Sequence, residues 1–322
     1  MTNYRKTASW FIGSLFLFCL LSACSTLEID QIRTSASVSS YSRVEIENVP
    51  FFAQQEYQCG PAALAMLINW SGVDVTPEEI KPLVYVPDRK GSFQAELIAA
   101  TRSYDRIPYV LLPSWQSLIT EIEAGNPVLV FQNLGVGWFP RWHYAVVTGI
   151  DIPNNEIVLH SGVTEKYVVS LDTFERTWQR ANKWAMVVMP ANVIPASADP
   201  LSYLKAASAF EQQAKLDIAL QAYEASVSQW PTKLVAIMGL GNVYYQLDQL
   251  EDAKLTYERA IEINAEYAPA HNNLAQVLLD MDQLDAALKH ARIAVRIGGI
   301  HAENYRETLS LIEQRQGVGG LN

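Results

Sequence analysis

Small and apolar residues recur every 34 positions through the second half of this 322-residue chain. Ala219, Ala253 and Ala287 keep that spacing, as do Leu216, Leu250 and Leu284, and Ala207, Gly241 and Ala275. Tyr223 and Tyr257 keep it once, with Ala291 in the third place. Such a period accommodates two helices and their turns, and the small residues let the pair approach closely. One unit cannot bury its apolar face alone, so neighbours must stack. The units fall at 200–233, 234–267 and 268–301, with a capping helix over 302–316 and a tail at 317–322. Three units reach the usual minimum for a stable stack. The middle copy is the cleanest, with Leu240, Gly241, Tyr244, Ala253, Tyr257 and Ala260. The third departs at Ala291 and at Gly299.

This pattern resembles the tetratricopeptide repeat. The resemblance implies an all-α solenoid whose concave face takes a protein partner.

The other end of the chain reads as an export signal. Arg5 and Lys6 precede an uncharged, mostly apolar run at 8–23, too short to span a bilayer with comfort. The run ends Leu21-Ser22-Ala23-Cys24, which resembles the bacterial lipobox. That resemblance implies removal of 1–23, lipid on Cys24 and attachment to the membrane. Ser25 follows the cysteine in place of an aspartate, which points to the outer membrane facing the periplasm. Residues 24–43, rich in Ser and Thr, read as a tether.

Removal of the leader takes two cations and no acid, so the formal charge moves from −10 to about −12 by that count. An acidic chain of this kind lacks the basic surface that nucleic-acid binding needs. Of the three cysteines, Cys19 leaves with the leader and Cys24 is the lipid site. Cys59 is left as one free thiol in a compartment where cysteines usually pair.

Residues 44–190 carry globular patterning. Short β-rich runs begin at Val128, Ala145, Ile157 and Trp184, and helices are expected over 62–70, 94–103 and 115–124. The segment is therefore α+β, and 191–199, with its Pro and Ala, is a linker to the all-α half.

Within that segment Cys59 stands directly before a helix. Pro61 suits a first helical turn, and 62–68 is apolar on every face, as a buried helix is. A helix N-terminus favours a thiolate, and Gly60 admits a close approach to the sulfur. A thiolate needs a base. Of the five histidines, His271, His290 and His301 fall in the repeats, which leaves His143 and His160. His143 opens the apolar stretch Tyr144-Ala145-Val146-Val147, the mouth of a buried strand.

Gln54 to Met66 around Cys-Gly-Pro-Ala-Ala, followed by Trp142-His143-Tyr144-Ala145-Val146-Val147-Thr148-Gly149, resembles cysteine peptidase family 39. These are papain-like, double-glycine peptidases, and the likeness covers about 44–190. It implies that Cys59 is the nucleophile and His143 the general base. It also implies that Gln54, with Gln55 as the alternative, donates to the oxyanion together with the Cys59 N–H. The family places an aspartate on the strand after the histidine, where this chain has Leu159-His160-Ser161-Gly162. His160 is taken as the third member, with Ser161 as the other acceptor in reach, and Asp151 and Asp172 as fallback acids.

No cofactor is expected. The cysteine and histidine spacings do not form a zinc set, Gly135-Val136-Gly137 lacks the context of a dinucleotide site, and no P-loop occurs. The expected protein is an exported, lipid-anchored cysteine peptidase whose repeats recruit a protein substrate or partner. A peptidase-like domain without turnover, acting with the repeats as an assembly lipoprotein, is the alternative.

Overall fold

The computed structural model describes residues 28–34, 43–54 and 57–319. The leader, Cys19, Cys24, Gln55 and Glu56 lie outside the described residues. No helix among the described residues is long and apolar enough to cross a membrane.

The first half is a seven-stranded antiparallel sheet with helices packed on it. Its strands are β1 (Val44–Glu45), β2 (Arg106–Val110), β3 (Val128–Asn133), β4 (Trp142–Asp151), β5 (Glu156–Ser161), β6 (Thr164–Ser170) and β7 (Ala185–Pro190). The order is β2-β7-β3-β4-β5-β6, with β1 paired to β4. The central strands β3, β4 and β7 are almost wholly buried. That explains their unbroken Val, Ile, Leu and Ala runs. Pro108, which has no N–H to give a ladder, sits in β2 at one edge. The other edge, β6, is mostly exposed and carries Glu165 and Lys166, charges that discourage pairing with another chain.

Helix α1 spans Glu28–Thr34, α2 Cys59–Trp70, α3 Pro77–Val84, α4 Gln94–Ser103, α5 Trp115–Glu123 and α6 Leu171–Gln179. Helix α2 lies against β4 and β3, with Gly60 through Ile68 buried. Each fully buried Leu, Ile or Met in it contributes about 1.5–3 kcal/mol of transfer free energy, which anchors its N-terminus firmly.

The tether expectation needs correction over α1. Ile29 is fully buried, and the Glu28 and Ile29 N–H groups donate to the Glu175 carboxylate at 3.0 and 3.1 Å. The Trp115 N–H donates to Glu28, and Lys183 bridges Glu28 and Glu175. Two isoleucines in a Ser/Thr-rich stretch were too few to show a period, yet one of them fills a tertiary slot.

The second half is a stack of helices: α7 (Pro200–Gln212), α8 (Leu216–Gln229), α9 (Leu234–Gln246), α10 (Leu250–Ile263), α11 (Ala268–Asp280), α12 (Leu284–Ile297) and α13 (Ala302–Gly319). The middle copy shows why small residues are needed between the helices. A Cβ on Gly239 would stand 2.3 Å from the Tyr223 ring, and one on Gly241 2.5 Å from the Tyr257 ring. Ala219, Ala253 and Ala287 are fully buried between helices.

A buried carboxylate ties the halves together. Glu121, on α5, accepts from the Ser197 N–H at 2.7 Å, the Ser197 hydroxyl at 2.6 Å, the Ala196 N–H at 3.3 Å and the Asn126 amide at 2.7 Å. Lys215 reaches back to Asp105 at 2.6 Å.

Candidate active site

Cys59 is the first residue of α2, and His143 is the second of β4. Because α2 packs on β4, thiol and imidazole open into one cleft of about 930 Å³, together with Gln54. Gln54 is held by its backbone N–H to the Gly162 carbonyl at 2.9 Å. Its side-chain amide points to the Tyr144 carbonyl at 3.4 Å, long enough to be given up to a better acceptor. Gly60 has a sharper reason than the sequence suggests: a Cβ there would meet Ser92 Oγ at 2.5 Å and its Cβ at 2.7 Å. Glycine thus lets the Ser92 loop close over the start of the helix, forming one cleft wall. Ser92 Oγ is buried without a hydrogen-bond partner and lines the cleft.

The electrostatics differ from the simple helix-terminus argument. Burial pushes the Cys59 thiol above its usual range, against the backbone N–H groups of Tyr144, Gly60 and Cys59 itself, which favour the thiolate. Burial, with the Arg141 charge beside it, pulls the His143 imidazole down to about 4. Both groups are therefore neutral near pH 7 in the free protein. The expected resting thiolate is corrected on this ground: desolvation outweighs the helix end.

The third position is also corrected. His143 Nε2 and Ser161 Oγ are 2.9 Å apart. His160 is 2% exposed and bonded elsewhere. Its Nε2–H donates to the Val49 carbonyl at 3.2 Å, its Nδ1 accepts from the Lys166 N–H at 3.2 Å, and its ring meets Phe51 edge-on. Adjacent strand residues point to opposite faces, so only one of the two can reach His143. Asp151 binds Asn154 at the far end of β4, and Asp172 binds Asn155. Neither fallback acid approaches the imidazole.

Sequence reasoning missed most of the cleft wall. Phe131 and Trp142 stack at 5.1 Å, and Phe131 also meets Tyr144 at 4.6 Å. Arg89, Lys90, Phe93, Pro140 and Arg141 complete the rim. The strand pairing Asn133↔Trp142 puts Phe131 and Trp142 on adjoining strands, a register that no local pattern reveals.

An antiparallel α+β domain with Cys, His and Gln on one cleft is followed by stacked helix pairs. Residues 46–186 match the Peptidase_C39 like family, and residues 241–282 match the TPR repeat. The chain thus holds a Peptidase_C39-like domain at 46–186 and a TPR repeat at 241–282. A C39-like peptidase structure from Bacillus anthracis shares 17% identity over 46% of this chain and 98% of its own, with a TM-score of 0.40. The first TPR of Spaghetti (RPAP3), bound to an HSP90 peptide, shares 19% over 37% of this chain and 93% of its own, TM-score 0.34. YrrB, a TPR protein with an unusual peptide-binding site, shares 23% over 37% of this chain and 61% of its own, TM-score 0.33. No curated protein sequence matches the chain.

Proposed function

We propose that the protein is an exported, lipid-anchored cysteine peptidase whose repeats hold a protein substrate or partner. The observation that carries this reading is the cleft shared by Cys59, His143 and Gln54, with His143 Nε2 facing Ser161. In the tautomer that donates Nε2–H to Ser161, Nδ1 is left as the base. A substrate that displaces water from the cleft brings a carbonyl carbon to Cys59 Sγ. The thiol proton passes to His143 Nδ1 as the S–C bond forms, and the oxyanion takes N–H bonds from Gln54 and the Cys59 backbone. The imidazolium then protonates the leaving amine, and water, deprotonated by His143, releases the acyl group. The repeats raise the substrate's local concentration at the cleft.

Lipid on Cys24 of the mature chain fits the leader and a site facing the periplasm. Intact mass of the mature chain, and loss of membrane fractionation in Cys24→Ala, test that part. Hydrolysis of peptides by the wild type, lost in Cys59→Ala and in His143→Ala, tests the chemistry. Turnover that survives Cys59→Ala would sink it.

One observation favours a second reading. Ser161 brings no negative charge to His143, and both reacting groups rest neutral. A domain that binds peptides without cutting them, serving assembly with the repeats, follows if no peptide is turned over while binding persists in Cys59→Ala.

A further inference from the structure

Three cations line the catalytic cleft, and no acid does so among the described residues, in a chain whose formal charge is −10. Arg89 and Lys90 stand on one wall. The Arg89 guanidinium lies over the Phe93 ring at 5.9 Å, and the Lys90 ammonium over the Tyr57 ring at 5.5 Å, so each charge is seated on an aromatic that also faces the cleft. Arg141 lines the same cleft from a different segment, two residues before His143. Its backbone is fixed at both ends: its N–H donates to Asn133 Oδ1 at 2.9 Å, and its carbonyl accepts from the Leu134 N–H at 2.9 Å. Its charge reaches the site, since it helps lower the His143 imidazole. Among the described residues the nearest acids along the chain are Asp88, on the Arg89 loop, and Glu96, on α4; neither lines the cleft, although the Glu96 charge reaches Tyr144, and Glu56, beside Tyr57, lies outside the described residues. Cations from two separate segments of the cleft lining, beside the low-dielectric surface of Phe131 and Trp142, give the cleft mouth a positive field.

We infer that the cleft selects acidic peptides, with Asp or Glu side chains, or a free carboxylate, close to the bond presented to Cys59. This rests on the site being one that receives a peptide, and it deepens the reading above by naming the substrate class. Arg141, Arg89 and Lys90 are then the specificity-determining residues. The aromatic wall takes apolar side chains between the charged ones.

The test reads the field without needing turnover. Cys59 in the mature protein is alkylated with iodoacetate, an anion, and with iodoacetamide, its neutral analogue. The ratio of the two rates cancels the thiolate population, so it reports the field alone. The expected ratio is about fivefold or more above that of glutathione at low salt, and it falls towards the glutathione value at high salt as charges are screened. Arg141→Glu should lower the low-salt ratio at least about threefold, and Arg89→Glu combined with Lys90→Glu should do the same. A ratio equal to that of glutathione, indifferent to salt and to these changes, overturns the inference. Paired peptides flanked by Glu or by Lys are then compared on the wild type. A lower KM for the acidic member supports the inference, and a lower KM for the basic member overturns it. No hydrolysis of either, with the alkylation ratio raised, defeats the peptidase reading and leaves the acidic preference as one of binding.

Discussion

His143 Nε2 lies 2.9 Å from Ser161 Oγ, across the neighbouring strand. A hydroxyl thus occupies the place at which the resemblance to cysteine peptidase family 39 implies a carboxylate. It holds the imidazole ring in place but adds no charge to stabilise an imidazolium, and the His143 imidazole stays down at about 4. A carboxylate there would favour the charged ring.

Ser161→Asp should raise the His143 imidazole well above 4 and increase Cys59 alkylation at pH 7 about tenfold, because a thiolate–imidazolium pair becomes accessible. Ser161→Ala should free the ring and reduce peptide turnover about tenfold with Cys59 still in place. Rates of alkylation and hydrolysis across pH check both. An unchanged pH profile in Ser161→Asp would show that the ring does not answer to this position.

Acid should destabilise the fold. His143 and His290 are both held down to about 4 by burial, with Arg141 and His271 as added causes. The unfolded chain binds protons on these groups near the usual histidine value of about 6.5. Between that value and about 4 the unfolded state carries more protons, so stability present at pH 7 is lost as the pH falls. Melting temperatures from pH 7 to 4 should drop less steeply in His143→Asn and His290→Asn. For His290 burial comes first, and the neighbouring His271, whose Nδ1 lies 2.9 Å from its own, adds to it.

Gly60→Ala should be costly although its helix favours alanine. The new methyl would meet the Ser92 side chain at 2.5–2.7 Å, and overpacking of this kind costs about 1–3 kcal/mol. Because Ser92 lines the cleft, the expected result is a lower denaturant midpoint together with altered Cys59 alkylation. Retention of both would show that the loop yields freely.

Glu121→Ala should loosen the junction between the halves. It strips four donors, among them the Ser197 and Ala196 N–H groups, of a buried acceptor. The loss of such charged hydrogen bonds costs about 2 kcal/mol or more. Limited proteolysis should then cut within 191–199 at a protease level that spares the wild type, with Cys59 reactivity unchanged. A single cooperative melt and no new cleavage would count against the clamp.

The sequence alone determined the features written in local spacing. A 34-residue period fixes two helices per unit, because helices packed this closely need small residues where they meet. Gly239 meets the Tyr223 ring of the preceding helix and Gly241 the Tyr257 ring of the following one. A helix beside Cys59, expected over 62–70 and found from Cys59 to Trp70, and the place of His143 at a strand mouth were also legible, since Pro61, an apolar run and a β-rich run are all local signals. The tertiary structure decided what depends on register and desolvation. It chose Ser161 over His160, because strand alternation sends one side chain towards His143 and the other under Val49. It docked Ile29 from a stretch that looked unstructured, hid Pro108 at a sheet edge, and gathered Arg89, Lys90 and Arg141 from distant loops into one cleft. It also turned the helix-end thiol towards its neutral form, because burial is a property of everything packed around Cys59 and not of the residues beside it in sequence.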